Sequence, residues 1–240
     1  MINYIILIRK TVMYSKKIVS FFLDKFGTFF ISQRMTPKSR VFGLDKGKSI
    51  SRYYIDSFIE QHKEDIKGDV LEVGIPTYAQ RYSEKIQTLD VLHFIPEENK
   101  YATIIGDLST GYNIPQNRYD CFILTQTIQL IFEIREALRH AYNALKPGGV
   151  LLVTCSGISQ ISRYDMERWG EFWRLTDLSC AFLIKAVCPD AAFTIRTYGN
   201  VAVVKGLMDG IHAERYHRNI LEYTDPDYQI IIASRIRKYL

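Results

Sequence analysis

The chain has 240 residues, 47% hydrophobic and 24% charged, which excludes a disordered or fibrous protein and suits one large α/β domain with an appendage. Its four cysteines, Cys121, Cys155, Cys180 and Cys188, form no CxxC pair; this speaks against a metal knuckle or a disulfide framework and for reduced thiols in a cytoplasmic protein. The net charge of +5 is uneven: residues 1–40 carry +7 and the remainder about −2, so no nucleic-acid groove is indicated across the globular part.

Residues 1–48 read as a basic, amphipathic N-terminal helical extension with a linker, and 49–240 as the folded domain. The extension is apolar as well as basic (Ile5 to Ile8, Val12, Ile18, Phe21, Phe22, Phe26, Phe29 and Phe30), yet no uninterrupted apolar run approaches the roughly 20 residues that a membrane span needs. No secretory signal pattern is evident. Two uses fit residues 1–35. They can pack as helix on protein, either their own domain or a second copy in a homodimer. Alternatively they can lie on an anionic membrane surface, peripheral to the inner membrane. The polar stretch from Gln33 to Lys48, with Pro37, Gly43 and Gly47, marks the linker.

Ser49 or Ser51 can cap a helix from Arg52 to about Ile66, whose apolar residues Tyr54, Ile55, Phe58 and Ile59 recur at helical spacing. Strands are expected at about 69–73, 86–92, 102–106, 119–125 and 149–155, alternating with helices, which argues for a parallel sheet. Leu130, Ile131, Ile134, Leu138, Ala141 and Leu145 form the stripe of one helix, which Lys146-Pro-Gly-Gly149 ends. A helix from a Thr176 cap to Val187, a strand at 193–198, a helix near 201–214 and a last strand at 228–236 complete the chain.

The stretch Asp69-Val-Leu-Glu-Val-Gly74 is a buried strand ending acid-x-Gly, a form that lets backbone approach a ligand beyond the strand's carboxyl end. Leu89-Asp90, Ile105-Gly-Asp107, Tyr119 to Thr125 and Leu145 to Val153 follow it in order. In order and spacing, Arg52 to the C-terminus resembles a class I S-adenosylmethionine-dependent methyltransferase. Ile123-Leu-Thr-Gln-Thr-Ile-Gln129, Gly157 to Asp165 and Arg168 to Thr176 resemble in particular the small methyltransferases of bacterial surface-polysaccharide biosynthesis. The resemblance implies a Rossmann-like, seven-stranded, mostly parallel sheet with helices on both faces and an antiparallel last strand. It also implies S-adenosylmethionine as cofactor and a small-molecule or glycan acceptor.

Residue by residue, it implies that Glu72 and Gly74 face the amino-acid portion of the cofactor and that Asp90, at the end of the second strand, holds the ribose. Asp107 would bind the adenine amino group and the Leu108 amide a ring nitrogen, while Gln126 and Gln129 border the methyl group. Each acid also has a plainer reading: Asp90 as a turn or cap residue, Asp107 as an Asx turn into Ser109-Thr110-Gly111, Glu72 as half of a buried structural pair. A hydroxyl acceptor needs a general base, for which His93 and Asp165 are candidates. Arg163, Tyr164, Trp169 and Trp173 mix aromatic faces with hydrogen-bonding groups, as a sugar site or a packed lid would. No metal site is expected.

The sequence departs from the family at the loop after the first strand. Gly74-Ile-Pro-Thr-Tyr78 has one glycine where GxGxG is usual, Pro76 removes a donor, and Ile75 and Tyr78 bring bulk. Two readings follow: an active enzyme with a reshaped loop, helped by Arg52, Tyr53 or Arg81 pairing with the cofactor carboxylate, or a degenerate fold serving as a binding or scaffolding subunit. A nicotinamide-dependent oxidoreductase is disfavoured because GxGxxG is absent.

Overall fold

The computed structural model describes residues 35–239, the side chain of Ser83 excepted. The chain divides into two compact units, Met1–Pro37 and Lys38–Leu240, and every element below belongs to the second. The N-terminal helical extension expected over residues 1–34 lies outside the described residues.

Seven strands form one sheet in the order β3-β2-β1-β4-β5-β7-β6. They are β1 (Gly68–Val73), β2 (Ile86–His93), β3 (Ile104–Ile105), β4 (Tyr119–Thr125), β5 (Leu145–Ser156), β6 (Ala192–Tyr198) and β7 (Ile231–Arg237). The first five run parallel, and β7 is antiparallel to both β5 and β6. This is the expected fold class. The strict two-residue alternation of strand side chains explains its layers. Val70, Cys121, Ile123, Val150 and Leu152 point to one face, where they meet Tyr54, Phe58 and Ile59 of α1 (Ile50–Gln61) and Val203 and Leu207 of α5 (Val201–Met208). Leu71, Phe122, Leu124, Leu151 and Val153 point to the other, against Leu138 and Ala141 of α2 (Ile134–Asn143) and Cys180 and Ile184 of α4 (Asp177–Val187). Each large side chain fully buried this way contributes about 1.5–3 kcal/mol.

The caps follow the sequence. Ser49 accepts from the Arg52 N–H at 3.1 Å, and Thr176 forms a capping box with Ser179. Asp65, just past α1, makes a two-pronged ion pair with Arg235 of β7 at 2.7 Å for each contact, fastening the helix to the antiparallel strand. Residues 38–49 pack on the segment after α5: Ala213 donates to the Lys48 carbonyl at 2.7 Å, and Ser49 bridges to His212.

Several expectations need correction. The strand–helix alternation fails in the first half. A 3-10 segment, Ala79–Lys85, replaces a helix after β1, and a three-residue 3-10 turn, Pro96–Glu98, lies between β2 and β3. Residues 106–118 join β3 to β4 through turns in which Gly111, Asn113 and Asn117 all have positive φ. Three left-handed residues so close together interrupt any helix of several turns between β3 and β4. The helix expected near 201–214 stops at Met208, and α6 (Arg218–Glu222) follows after a 3-10 turn. The Lys146-Pro-Gly-Gly149 stop becomes a bulge at the start of β5, where the register with β4 jumps from Leu145 to Val150.

Candidate active site

Parallel strands place their carboxyl ends along one edge, and the order reverses between β1 and β4, so the crevice for a ligand opens beyond Gly74 and Gln126. Gly74 has φ +81°, and a Cβ built on it meets no atom within 4 Å: the backbone at the switch point borders open space. Its N–H donates to the Leu92 carbonyl at 3.0 Å, and its carbonyl accepts from the Asn99 side chain.

Glu72 is 1% exposed. Its two carboxylate oxygens accept from the backbone N–H groups of Tyr78 (3.1 Å) and Ala79 (2.7 Å), so it clamps the loop after β1. Burial pushes its carboxyl up to about 7, against the two N–H donors and the Arg52 and Arg81 charges, which favour the anion. Tyr78 corrects an expectation: it does not bring bulk to the ligand side but turns into the core, 1% exposed. Its hydroxyl accepts from Arg52 at 2.7 Å, and the Arg81 guanidinium lies 5.2 Å from its ring. Arg81 also pairs with Asp56 at 3.1 Å, so both arginines are engaged on the α1 side.

Asp90 also needs correction. The strand runs on through Val91 and Leu92 to His93, so Asp90 lies three residues short of its end. Its carboxylate accepts from Thr103 (2.8 Å) and Tyr119 (3.0 Å) and pairs with Arg118 (3.0 Å), a structural bridge between β2 and the start of β4. At the true end of β2 stands His93. Its Nδ1 lies 2.7 Å from the Ile95 carbonyl oxygen and 3.2 Å from the Ile95 backbone nitrogen, so the ring is seated against that one residue. Its ring meets Trp169 edge to face, with centroids 5.6 Å apart.

Asp107 follows β3 and closes an Asx turn. It accepts from the Ser109 N–H and hydroxyl, both at 2.7 Å, and from Thr110 at 3.0 Å. Burial would raise its carboxyl, but these hydrogen bonds outweigh burial and hold it below the ordinary carboxylate value. The carbonyl of Leu108 accepts from His140 at 2.8 Å, so His140 is a structural prop.

Beyond β4 and β5 lies a neutral polar cluster. Gln126, with φ +50°, donates to Thr154 at 3.3 Å and accepts from Ser156 (2.6 Å) and Gln129 (3.2 Å). The segment between β5 and α4 roofs it. Phe172 and Trp173 donate their N–H groups to the Gln129 carbonyl at 3.0 and 3.2 Å, and Trp173 Nε1 donates to the Ile131 carbonyl at 3.1 Å. Short helix α3 (Arg163–Arg168) in this segment holds Arg163 and Tyr164 in solvent and Asp165 half-buried in its first turn. The structure therefore brings Trp169 to His93 and Trp173 to the Gln129 loop, but leaves Arg163 and Tyr164 outside. Asn99, Thr154 and Ser156 were not singled out from sequence. For the last two the signal was present, as hydroxyls alternating into the end of an otherwise apolar strand.

Among the described residues, no cluster of three or more His, Cys, Asp or Glu side chains could hold a metal ion. All four cysteines are free and buried, and no helix among those residues is long and apolar enough to cross a membrane.

Sheet order and strand directions are those of the class I methyltransferase fold. A methyltransferase from Archaeoglobus fulgidus described as S-adenosylmethionine-dependent is similar with a TM-score of 0.51 at 11% identity, covering 78% of this chain and 94% of its own. The N-methyltransferase NodS from Bradyrhizobium japonicum, solved with S-adenosylhomocysteine, gives 0.50 at 12%, covering 80% and 89%. The [4+2]-cyclase SpnF gives 0.51 at 16%, covering 86% and 89%. No family model matches the sequence, and no curated protein does.

Two outcomes follow from this geometry. Asp90→Ala strips a partner from Thr103, Tyr119 and Arg118 and should lower the unfolding free energy by about 1–3 kcal/mol in urea titrations; unchanged stability would deny it the bridging role. For Glu72 the folded pKa is raised, so the stability it contributes is fully present below about 4.5 and is lost as pH rises through about 7. Wild type should therefore lose roughly 3 kcal/mol relative to Glu72→Gln between those two pH limits. A pH-independent difference would show that burial does not hold the proton.

Proposed function

We propose that this chain is an S-adenosylmethionine-dependent methyltransferase that O-methylates a sugar, glycan or other small hydroxylated acceptor. The observation that carries the reading is Gly74: a left-handed glycine beside open space at the switch point of a methyltransferase fold, with Asp107 on the same edge. When bound, S-adenosylmethionine supplies an electrophilic sulfonium methyl group. Gly74 then brings backbone against the amino-acid portion, while Glu72 holds the loop in shape from below. Asp107 offers carboxylate oxygens to the adenine amino group, beside the Leu108 amide. Gln126 borders the methyl group. Since the methyl is already activated, the chain's main work is alignment, which can remove roughly 7–11 kcal/mol of barrier. His93 serves as the base for the acceptor's hydroxyl proton, and Asp165 is the alternative. Trp169 and Trp173 roof the acceptor space and exclude water, with Arg163 and Tyr164 at its outer margin.

A second reading has its own support. No carboxylate stands at the end of β2, and Asn99 occupies the carbonyl of Gly74. A fold that has lost cofactor affinity and serves as a binding subunit fits those two facts. For residues 1–35, we propose peripheral contact with the cytoplasmic side of an anionic membrane, supported by the concentration of charge in the first 40 residues.

Calorimetric titration with S-adenosylhomocysteine separates the two readings of the domain. The enzyme reading expects micromolar affinity, weakened at least about tenfold by Asp107→Ala through a lost charge-assisted hydrogen bond. Absent binding by folded protein would favour the binding subunit. Vesicles of anionic lipid should sediment the full chain and not the chain lacking residues 1–35; sedimentation that survives the deletion would remove the membrane role from that segment.

A further inference from the structure

The roof over the crevice leaves much of its apolar surface in solvent. Phe132, on the loop after β4, is 60% exposed, and Ile161, Tyr164 and Phe172, in the segment after β5, are 47%, 61% and 50% exposed. Single exposed apolar side chains are ordinary, but these are gathered. The rings of Phe132 and Phe172 meet edge to face with centroids 5.5 Å apart. The Ser162 N–H donates to the Glu171 carboxylate at 2.8 Å, which draws the stretch that carries Ile161 against the one that carries Phe172. Tyr164 stands just beyond, in the first turn of α3. Both segments leave the carboxyl ends of parallel strands, so the patch lies at the mouth of the crevice.

Its chemistry, and the place where the chain enters the domain, point to what covers it. Arg163, Arg168 and Arg174 balance Asp165, Glu167 and Glu171, so no net charge of the roof opposes an approach to lipid. The Arg168 guanidinium lies 3.8 Å over the Tyr164 ring, and Trp169 and Trp173 follow in the same segment. Amphipathic rings and long cationic side chains of this kind settle at the boundary between acyl chains and headgroups. The domain also begins on this side: Gln160 of the roof donates to the Arg40 carbonyl at 2.7 Å. The apolar and basic residues 1–35, proposed above to contact an anionic membrane, therefore join the domain beside the roof.

We infer that the Phe132–Ile161–Tyr164–Phe172 patch docks the folded domain on the surface of a lipid bilayer, with the mouth of the crevice turned to the lipid. This goes beyond membrane contact by residues 1–35, because it gives the domain a contact of its own and sets which side faces the membrane. A few partly inserted side chains hold weakly alone; they add to the first contact through the high local concentration that the covalent link provides. The docking does not depend on the methyltransferase reading. Joined to that reading, it means that the acceptor hydroxyl reaches the crevice on a molecule held in the bilayer.

The chain's two tryptophans, Trp169 and Trp173, both lie in the roof, so their fluorescence reports on it alone. The full chain is bound to vesicles of phosphatidylcholine and phosphatidylglycerol, made with plain or with brominated acyl chains. Bromine quenches a ring only at close range, so emission should fall on the brominated vesicles. The full-chain double variant Ile161→Ser, Phe172→Ser should partition onto the plain vesicles about tenfold or more weakly, because two apolar contacts with lipid are lost. Its Tm should stay within about 4 °C of wild type, as neither side chain is buried. If the variant unfolds, quenching of wild type decides. Unquenched emission from vesicle-bound wild type would overturn the proposal and leave the membrane contact to residues 1–35. Unaltered partitioning of the folded variant would overturn it too. Wild type that does not bind the vesicles would overturn both membrane contacts. Quenching in a chain that calorimetry shows to take up no S-adenosylhomocysteine would uphold the docking and remove only the methyltransferase reading, with its bilayer-held acceptor.

Discussion

The loop at the head of the crevice depends on one buried carboxylate. Glu72 stands inside an apolar strand, where an isolated charge is costly, and burial pushes its carboxyl up to about 7. Two backbone N–H groups offset that cost, and in accepting them Glu72 decides the path of the chain from Gly74 to Ala79. A side chain rising from β1 thus makes one loop conformation far better than the rest. The 3-10 segment that follows begins at Ala79, so its orphan N–H end is satisfied by the same carboxylate.

This explains how the loop tolerates the residues that set it apart. Glycine is favoured where φ is positive, and Gly74 supplies that once in this loop, at φ +81°. Pro76 has no N–H to give, but the carboxylate is met by Tyr78 and Ala79, beyond the proline. Tyr78 would block a ligand if it pointed outward. Instead its hydroxyl takes a hydrogen bond from Arg52 and its ring lies under Arg81, and both cations hold it inward.

Strand chemistry was legible in the sequence; loop chemistry was legible only in part. Alternation at 70–73, 121–124 and 150–153 fixes faces and order, since a one-residue slip would turn every side chain to the wrong layer. Thr176 and Ser49 announce their helices because capping is local. Asp90 was misplaced because an acid followed by Val91 and Leu92 looks like a strand end, when Tyr119 and Arg118, close only through folding, hold it in mid-strand. The missing helices after β1 and β3 were hidden for the same reason: a side-chain clamp and left-handed asparagines carry no periodicity. Asp107 was legible as an Asx turn, because the Ser109 and Thr110 that it holds follow it directly in sequence.

The fold alone leaves the chemistry open, since it is shared by proteins named as methyltransferases and by one named a cyclase. What narrows it is the difference between the two halves of the carboxyl edge. The β1–β3 half carries acids, Glu72 clamped beneath the loop and Asp107 in its Asx turn. The β4–β5 half carries amides and hydroxyls without charge. Transfer of a methyl group from a sulfonium to a neutral hydroxyl releases a proton, and neither glutamine nor serine can hold it near neutral pH. On the proposed reading the proton goes to a base outside that cluster, His93 at the end of β2, whose ring meets Trp169, or Asp165. On the same reading the roof serves two ends at once: Trp173 covers the Gln129 loop, and Trp169 covers the His93 ring.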